Sequence, residues 1–164
     1  MRQRGFSIVE LVVVIAIMGI LTSIATLSWS RMQKESGIES QVKTLYVDLM
    51  EVRQQALYSK RSRLVVINGQ SYNAYATTDD SVAPLVSKQL RYPVIWSGSG
   101  ALEIIFDTQG LATGGTERYL CVSPSNDLAV INTAKTDSLV ISTAKINLGI
   151  RTGGICNSAN IEQK

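Results

Sequence analysis

Few side chains in this sequence could do chemistry, and their spacing narrows them further. Histidine is absent from the 164 residues. That removes imidazole acid–base catalysis, histidine-based triads and histidine metal ligation. The only cysteines are Cys121 and Cys156. Two thiolates cannot complete a four-ligand metal site. Asp79-Asp80 is an acidic pair without the ligand string of a calcium loop, and reads as a solvated loop. Gly110-Leu111-Ala112-Thr113-Gly114-Gly115 lacks the lysine and following helix of a phosphate loop, and reads as a turn. Serines abound, but no base is available to activate one in the usual way. The expectation is a non-enzymatic chain without cofactor or metal. One residue with chemistry remains, Glu10, and its surroundings are unusual.

Residues 11–21 are all apolar or glycine, and Ile24, Ala25 and Leu27 continue the run. As a helix, residues 6–27 would span roughly 33 Å, enough for a bilayer core. The preceding residues 1–5 are short and basic, with Arg2 and Arg4 and no acid. A secretory signal cleaved at Ser23-Ile24-Ala25 is one reading, and a plain N-terminal anchor is another. Neither accounts for Glu10. A carboxylate costs about 2–3 kcal/mol at the bilayer centre and less near the interface, so Glu10 either sits at headgroup level or has a partner.

The string Gly5-Phe6-Ser7-Ile8-Val9-Glu10, preceded by Arg2 and Arg4 and followed at once by the apolar run, resembles the class III signal of type IV prepilins and pseudopilins. The resemblance implies that a membrane prepilin peptidase cuts between Gly5 and Phe6. It implies that Phe6 becomes the N-methylated first residue, with Glu10 fifth in the mature chain. A carboxylate and a terminal amine on neighbouring subunits lower each other's desolvation cost in lipid. A helix cannot fold back to pair its own first and fifth residues well. Phe6 and Glu10 are therefore expected to set subunit register during assembly. Leu27 stands where many pilins carry proline, which leaves Gly19 as the one helix-weakening residue inside the span.

These residues need elements to position them. Ser28 to Ser30 mark the exit to water, with Trp29 as an interfacial anchor. Ile38, Val42, Leu45, Leu49, Val52 and Ala56 then recur at helical spacing and predict a core-facing stripe. Glu35, Glu39, Lys43, Asp48 and Glu51 are expected largely on other faces, with Glu39 and Lys43 as an i,i+4 pair. No proline occurs before Pro84, so one helix is expected over about residues 6–59, a rod of roughly 80 Å. Gly37 is its expected soft point. Lys60, Arg61 and Arg63 suit the negative end of the helix dipole, the alternative being a phosphate-binding patch.

Past residue 63 the pattern becomes short strands. Residues 64–67 and 72–76 flank Asn68-Gly69, a hairpin signal. Residues 77–84 read as a loop. Further strands are expected at 90–96, 102–106, 118–122, 129–132, 139–142 and 146–150. Pro93 marks its strand as an edge or as bulged. The fold class expected is α+β: a long N-terminal helix, membrane-spanning and then amphipathic, on antiparallel β-sheets in a pilin-like roll. Its divisions are a leader peptide at 1–5, a transmembrane or filament-core helix at 6–29, and an exported domain at 30–164. That domain holds the amphipathic helix 30–60 and β-rich residues 63–156.

Val52-Arg53-Gln54-Gln55-Ala56-Leu57, Ile105-Phe106-Asp107-Thr108-Gln109-Gly110 and the late segment Lys145-Ile146-Asn147-Leu148-Gly149-Ile150-Arg151 together resemble the GspH/FimT branch of minor pseudopilins and minor pilins. That resemblance implies two antiparallel sheets against the helix. Cys121 and Cys156 both lie on the exported side of the anchor, where an oxidising compartment lets them pair. Two free buried thiols are the other reading. Some members of the branch are associated with DNA through a basic Gly-Arg-x-Arg-like motif. The matching Gly149-Ile150-Arg151-Thr152 retains one arginine. Lys145 and Arg151 could together give only weak, salt-sensitive phosphate contact.

The expected function is structural. The chain would be a minor pilin or pseudopilin that primes or caps a type IV pilus or a type II secretion pseudopilus. Expected partners are other pilins of the filament, the prepilin peptidase, an inner-membrane assembly platform and membrane lipid. The expected location is the bacterial inner membrane, single-pass, with the C-terminal domain periplasmic. The alternative is a filament-presented module that binds DNA or a surface, which the missing arginine disfavours.

Overall fold

The computed structural model describes residues 7–125 and 133–164, with backbone alone for residues 24–27. The expected cleavage site at Gly5 and Phe6 and the expected strand at 129–132 lie outside the described residues. The chain divides into two compact units, Met1–Lys34 and Glu35–Lys164.

Helix α1 runs Ile8–Ser59 and contributes to both units. In the first unit its side chains stand in the open, from Ile8 (82% exposed) to Leu21 (61%). The hydroxyls of Thr22 and Ser23 donate to the carbonyls of Met18 and Gly19, at 2.6 and 2.9 Å. Their polar groups are thus satisfied within the helix, as an apolar environment requires. The helix is long and apolar enough to cross a membrane.

In the second unit the helical stripe is the core. Ile38, Val42, Leu45, Leu49, Val52 and Ala56 are all buried, and they pack with Val65, Ile67, Leu102, Ile104, Phe106, Leu120, Leu139 and Ile141 of the sheet. The acids of α1 divide. Glu39 pairs with Lys43 at 3.8 Å and also accepts the Lys135 backbone N–H at 2.8 Å. Glu35 accepts the Thr133 hydroxyl. Asp48 departs from its expected outer face: it is buried, with Lys88 at 2.7 Å. Gly37 is a packing residue and not a soft point. A Cβ there would stand 2.9 Å from the Tyr92 hydroxyl oxygen, so its missing side chain lets Tyr92 approach.

Among the described residues, seven strands form one antiparallel sheet in place of the two expected: β1 (Arg63–Tyr75), β2 (Val86–Trp96), β3 (Leu102–Phe106), β4 (Arg118–Val122), β5 (Ser138–Ile141), β6 (Ile146–Arg151) and β7 (Ile161–Gln163). Their order is β3-β1-β2-β4-β5-β6-β7. The joint is β2, which pairs β1 along its length and β4 through Val94, Ile95 and Trp96.

Asn68-Gly69 does not turn the chain. β1 runs straight through it, its first half paired with β3 and its second with β2. Gly69 supplies φ +57° at an irregularity in register, and the Ser71 hydroxyl donates to the Asn68 carbonyl at 3.1 Å. A local hairpin would have paired two short runs with each other. The sheet gives each run a separate partner, and the glycine adjoins the point where β2 bulges.

Pro93 sits in an interior strand that bulges. Register passes from Gly69↔Val94 to Ser71↔Gln89, so extra β2 residues oppose Gln70. The ladder lost there is replaced by side chains. Gln41 of α1 accepts the Tyr92 N–H at 2.8 Å and donates to the Tyr92 carbonyl at 2.7 Å, while Gln70 donates to the Arg91 carbonyl at 3.0 Å. A buried amide thus completes a backbone that proline had interrupted.

α1 ends at Ser59, so the basic run lies past its last turn. Lys60 takes the left-handed conformation at φ +51°, a position usually filled by glycine. We expect Lys60→Gly to raise stability by about 0.5–1 kcal/mol, because the left-handed penalty of a Cβ exceeds the entropy lost by glycine. Thermal denaturation of the detergent-solubilised chain should show a higher midpoint; a lower one would contradict this account.

Candidate functional site

Glu10 lies in the first turn of α1, where the helix dipole favours a carboxylate. It is exposed among Ile8, Val9, Leu11 and Val12, themselves 56–82% exposed. It is the single ionisable side chain between Ser7 and Ser30. Apolar surface in water costs about 25 cal/mol per Å², so exposing this segment to water is unfavourable.

The remaining expected site residues lie in the second unit, Glu35–Lys164. Cys121 of β4 and Cys156 are joined by a disulfide, with Cα atoms 6.0 Å apart. The bond fastens the segment after β6 over the sheet face turned away from α1. There Cys121, Val140, Cys156 and Ile161 form a second small core with Tyr119 against it. This is why β5 is buried at every position: Leu139 and Ile141 face the main core, Val140 the smaller one. β7, a short strand beyond the expected β-rich limit at 156, closes that edge by pairing with β6. Only a lone Ile161 in a polar tail signalled it. Replacing Cys156 by alanine should cost about 3–4 kcal/mol in the chain-entropy account. Alkylation under denaturing, non-reducing conditions should leave the mass unchanged; two added alkyl groups would refute the bridge.

Lys145 and Arg151 do not form a joint surface. Lys145 is exposed in the turn after β5, whereas Arg151 is 2% exposed. Its backbone N–H donates to Asp137 Oδ1 at 2.7 Å, its Nε lies 3.7 Å from Asp137 Oδ2, and its Nη1 donates to the Gly154 carbonyl at 3.2 Å. Arg151 is thus a core residue that ties β6 to the disulfide-bearing segment, and is not placed to meet phosphate. Sequence reasoning missed this pair, since nothing local distinguishes Asp137 from an exposed loop acid.

The acidic pair lies in an exposed loop, and the glycine-rich segment opens on a turn. Asp79 Oδ1 accepts the Ser81 N–H at 2.9 Å, and hydrogen bonds from Ser81 hold its carboxyl below the ordinary value. Asp107 Oδ1 accepts the N–H groups of Gln109 and Leu111, each at 2.8 Å, and Gly110 takes φ +72°.

A family profile described as "Prokaryotic N-terminal methylation motif" matches residues 1–26. No curated protein sequence matches significantly. Among solved structures, the type IV minor pilin FimU of Pseudomonas aeruginosa (strain PAO1) is similar, with a TM-score of 0.56 at 17% identity over 77% of this chain and 93% of that one. A second crystal form of FimU gives a TM-score of 0.50 at 18% identity over 77% and 98%. The chain thus carries an N-terminal methylation motif that leads into an exposed apolar helix, and its fold is similar to that of a type IV minor pilin.

Proposed function

We propose that the chain is a minor pilin or pseudopilin, a structural subunit that helps prime or cap a type IV pilus or a secretion pseudopilus. The observation that carries this reading is continuity. The methylation motif of residues 1–26 contains a run of apolar side chains, exposed from Ile8 to Leu21, with a single carboxylate near its start. Before assembly, inner-membrane lipid would cover those side chains; afterwards, the helices of other subunits would. Both environments satisfy the same hydrophobicity. The prepilin peptidase would free the Phe6 amine, and the assembly platform would bring that amine and a Glu10 carboxylate of adjoining subunits together. The disulfide suits a domain on the oxidising, periplasmic side.

N-terminal sequencing and intact mass of the chain extracted from its host membrane test the reading. The expected mature protein begins at Phe6 and carries one methyl group on its amine. A start after Ala25 would make it an ordinary secreted protein, and a retained Met1 would also overturn the proposal.

A further inference from the structure

Beside the buried stripe of α1 lies a cavity of about 150 Å³, lined by Asp48, Glu51 and Val52 of the helix and by residues of β1 and β2 that include Tyr72, Val86 and Lys88. Its charged members, Asp48, Glu51 and Lys88, leave one net negative charge. The Tyr72 phenol is raised well above its ordinary value by burial, and further by the charges of Asp48 and Glu51.

Asp48 is incompletely used. It is 9% exposed, and its Oδ1 accepts the Lys88 ammonium at 2.7 Å. Its Oδ2 is buried without a hydrogen-bond partner among the described residues. A buried carboxylate oxygen left unpaired is unfavourable. Lys88 does not relieve this, because its ammonium here bonds Oδ1 and leaves Oδ2 unserved. Its side chain is 44% exposed against 11% for Asp48, so it can leave the pair at little desolvation cost.

We propose that this cavity receives a basic side chain, best an arginine, from a neighbouring subunit. A guanidinium presents a planar fork that can bond both oxygens of Asp48, including the one now unpaired. Lys88 would swing into water, and Glu51 would add attraction at the mouth. The alkyl stem would lie on Val52, Ala74 and Val86. The volume suits one side chain and not a cofactor. The rim carries Leu85, 57% exposed, and Val86, 39% exposed. A protein surface would cover that apolar rim, whereas a small soluble cation would leave it wet. The source of the side chain rests on the filament reading above; the chemistry of the cavity does not.

The first test uses the full chain in detergent micelles with n-butylguanidinium as the probe and n-butanol as the uncharged control. Calorimetric titration should show saturable binding of the guanidinium and none of the alcohol. Asp48→Asn should weaken it about tenfold, the loss of one charge-assisted bond. Lys88→Met should strengthen it, because the resident competitor is gone, an effect that a merely loosened fold would not produce. Absence of saturable binding, equal affinity in Asp48→Asn, or weakening by Lys88→Met would each overturn the proposal. The second test places a photo-crosslinking amino acid at Leu85 in the native host. The expected adduct maps within a few residues of an arginine or lysine on an exported filament subunit; an adduct to a segment without a basic residue, or none, overturns the protein source. Probe binding that persists in a chain whose mature N-terminus is not Phe6 would strike the filament reading and leave the cavity chemistry standing.

Discussion

Glu10→Ala is expected to insert into the membrane as well as the parent chain and to disappear from assembled filaments. Insertion is unharmed because the substitution removes the one charge in the apolar segment, whose cost at the bilayer centre is about 2–3 kcal/mol. Assembly suffers because a neighbour's amine then enters an apolar bundle unpaired. Removing one partner of a desolvated charge pair costs about 3–5 kcal/mol, which corresponds to at least a hundredfold loss of incorporation. Immunoblots of the membrane fraction and of sheared filaments from the same cells separate the two effects. Glu10→Gln should fail almost as badly, since an amide keeps the shape but not the charge. Normal recovery of either variant in filaments would refute the pairing.

The second large effect is expected far from the membrane segment. Asp137→Ala should destabilise the protein by about 3–5 kcal/mol, because it leaves the Arg151 guanidinium buried without its counter-ion. Arg151 is 2% exposed and Asp137 1%, so water cannot take over the lost interaction. The Arg151 N–H would lose its 2.7 Å acceptor as well. For a domain of ordinary stability, that is a large fraction of the whole. Denaturant titration of the detergent-solubilised chain measures it. A double substitution, Asp137→Leu with Arg151→Met, should lie closer to the parent than Asp137→Ala alone, since apolar residues of similar volume often replace a buried pair without loss. A single variant of near-parental stability would show that the pair is not desolvated in solution.

The two effects differ in how far the local sequence announces them. Glu10 was legible because its environment is its own sequence: an apolar run surrounds it in any fold that keeps the helix. Arg151 invited reading as a surface cation, because arginine mostly is one. Its burial depends on Asp137 across the sheet and on the disulfide-bearing segment laid over both. Gln41 shows the same limit, since its amide became a piece of sheet ladder only where β2 bulged beside Pro93. The Asn68-Gly69 signal named the right backbone freedom at Gly69 and the wrong consequence.

Local patterning was enough for the long helix, the six buried positions of its stripe, four of the strands within a residue at each end, and the exceptional character of the first twenty-seven residues. All of these are periodic or contiguous features, in which a residue's neighbours along the chain are its environment. Tertiary structure alone decided that β1 continues through a turn signal and that one sheet forms where two were expected. It also decided that a short last strand closes the edge, and that Asp48, Asp137 and Arg151 leave water. Pairing partners and desolvation are set by residues distant in sequence, and local periodicity carries no record of them.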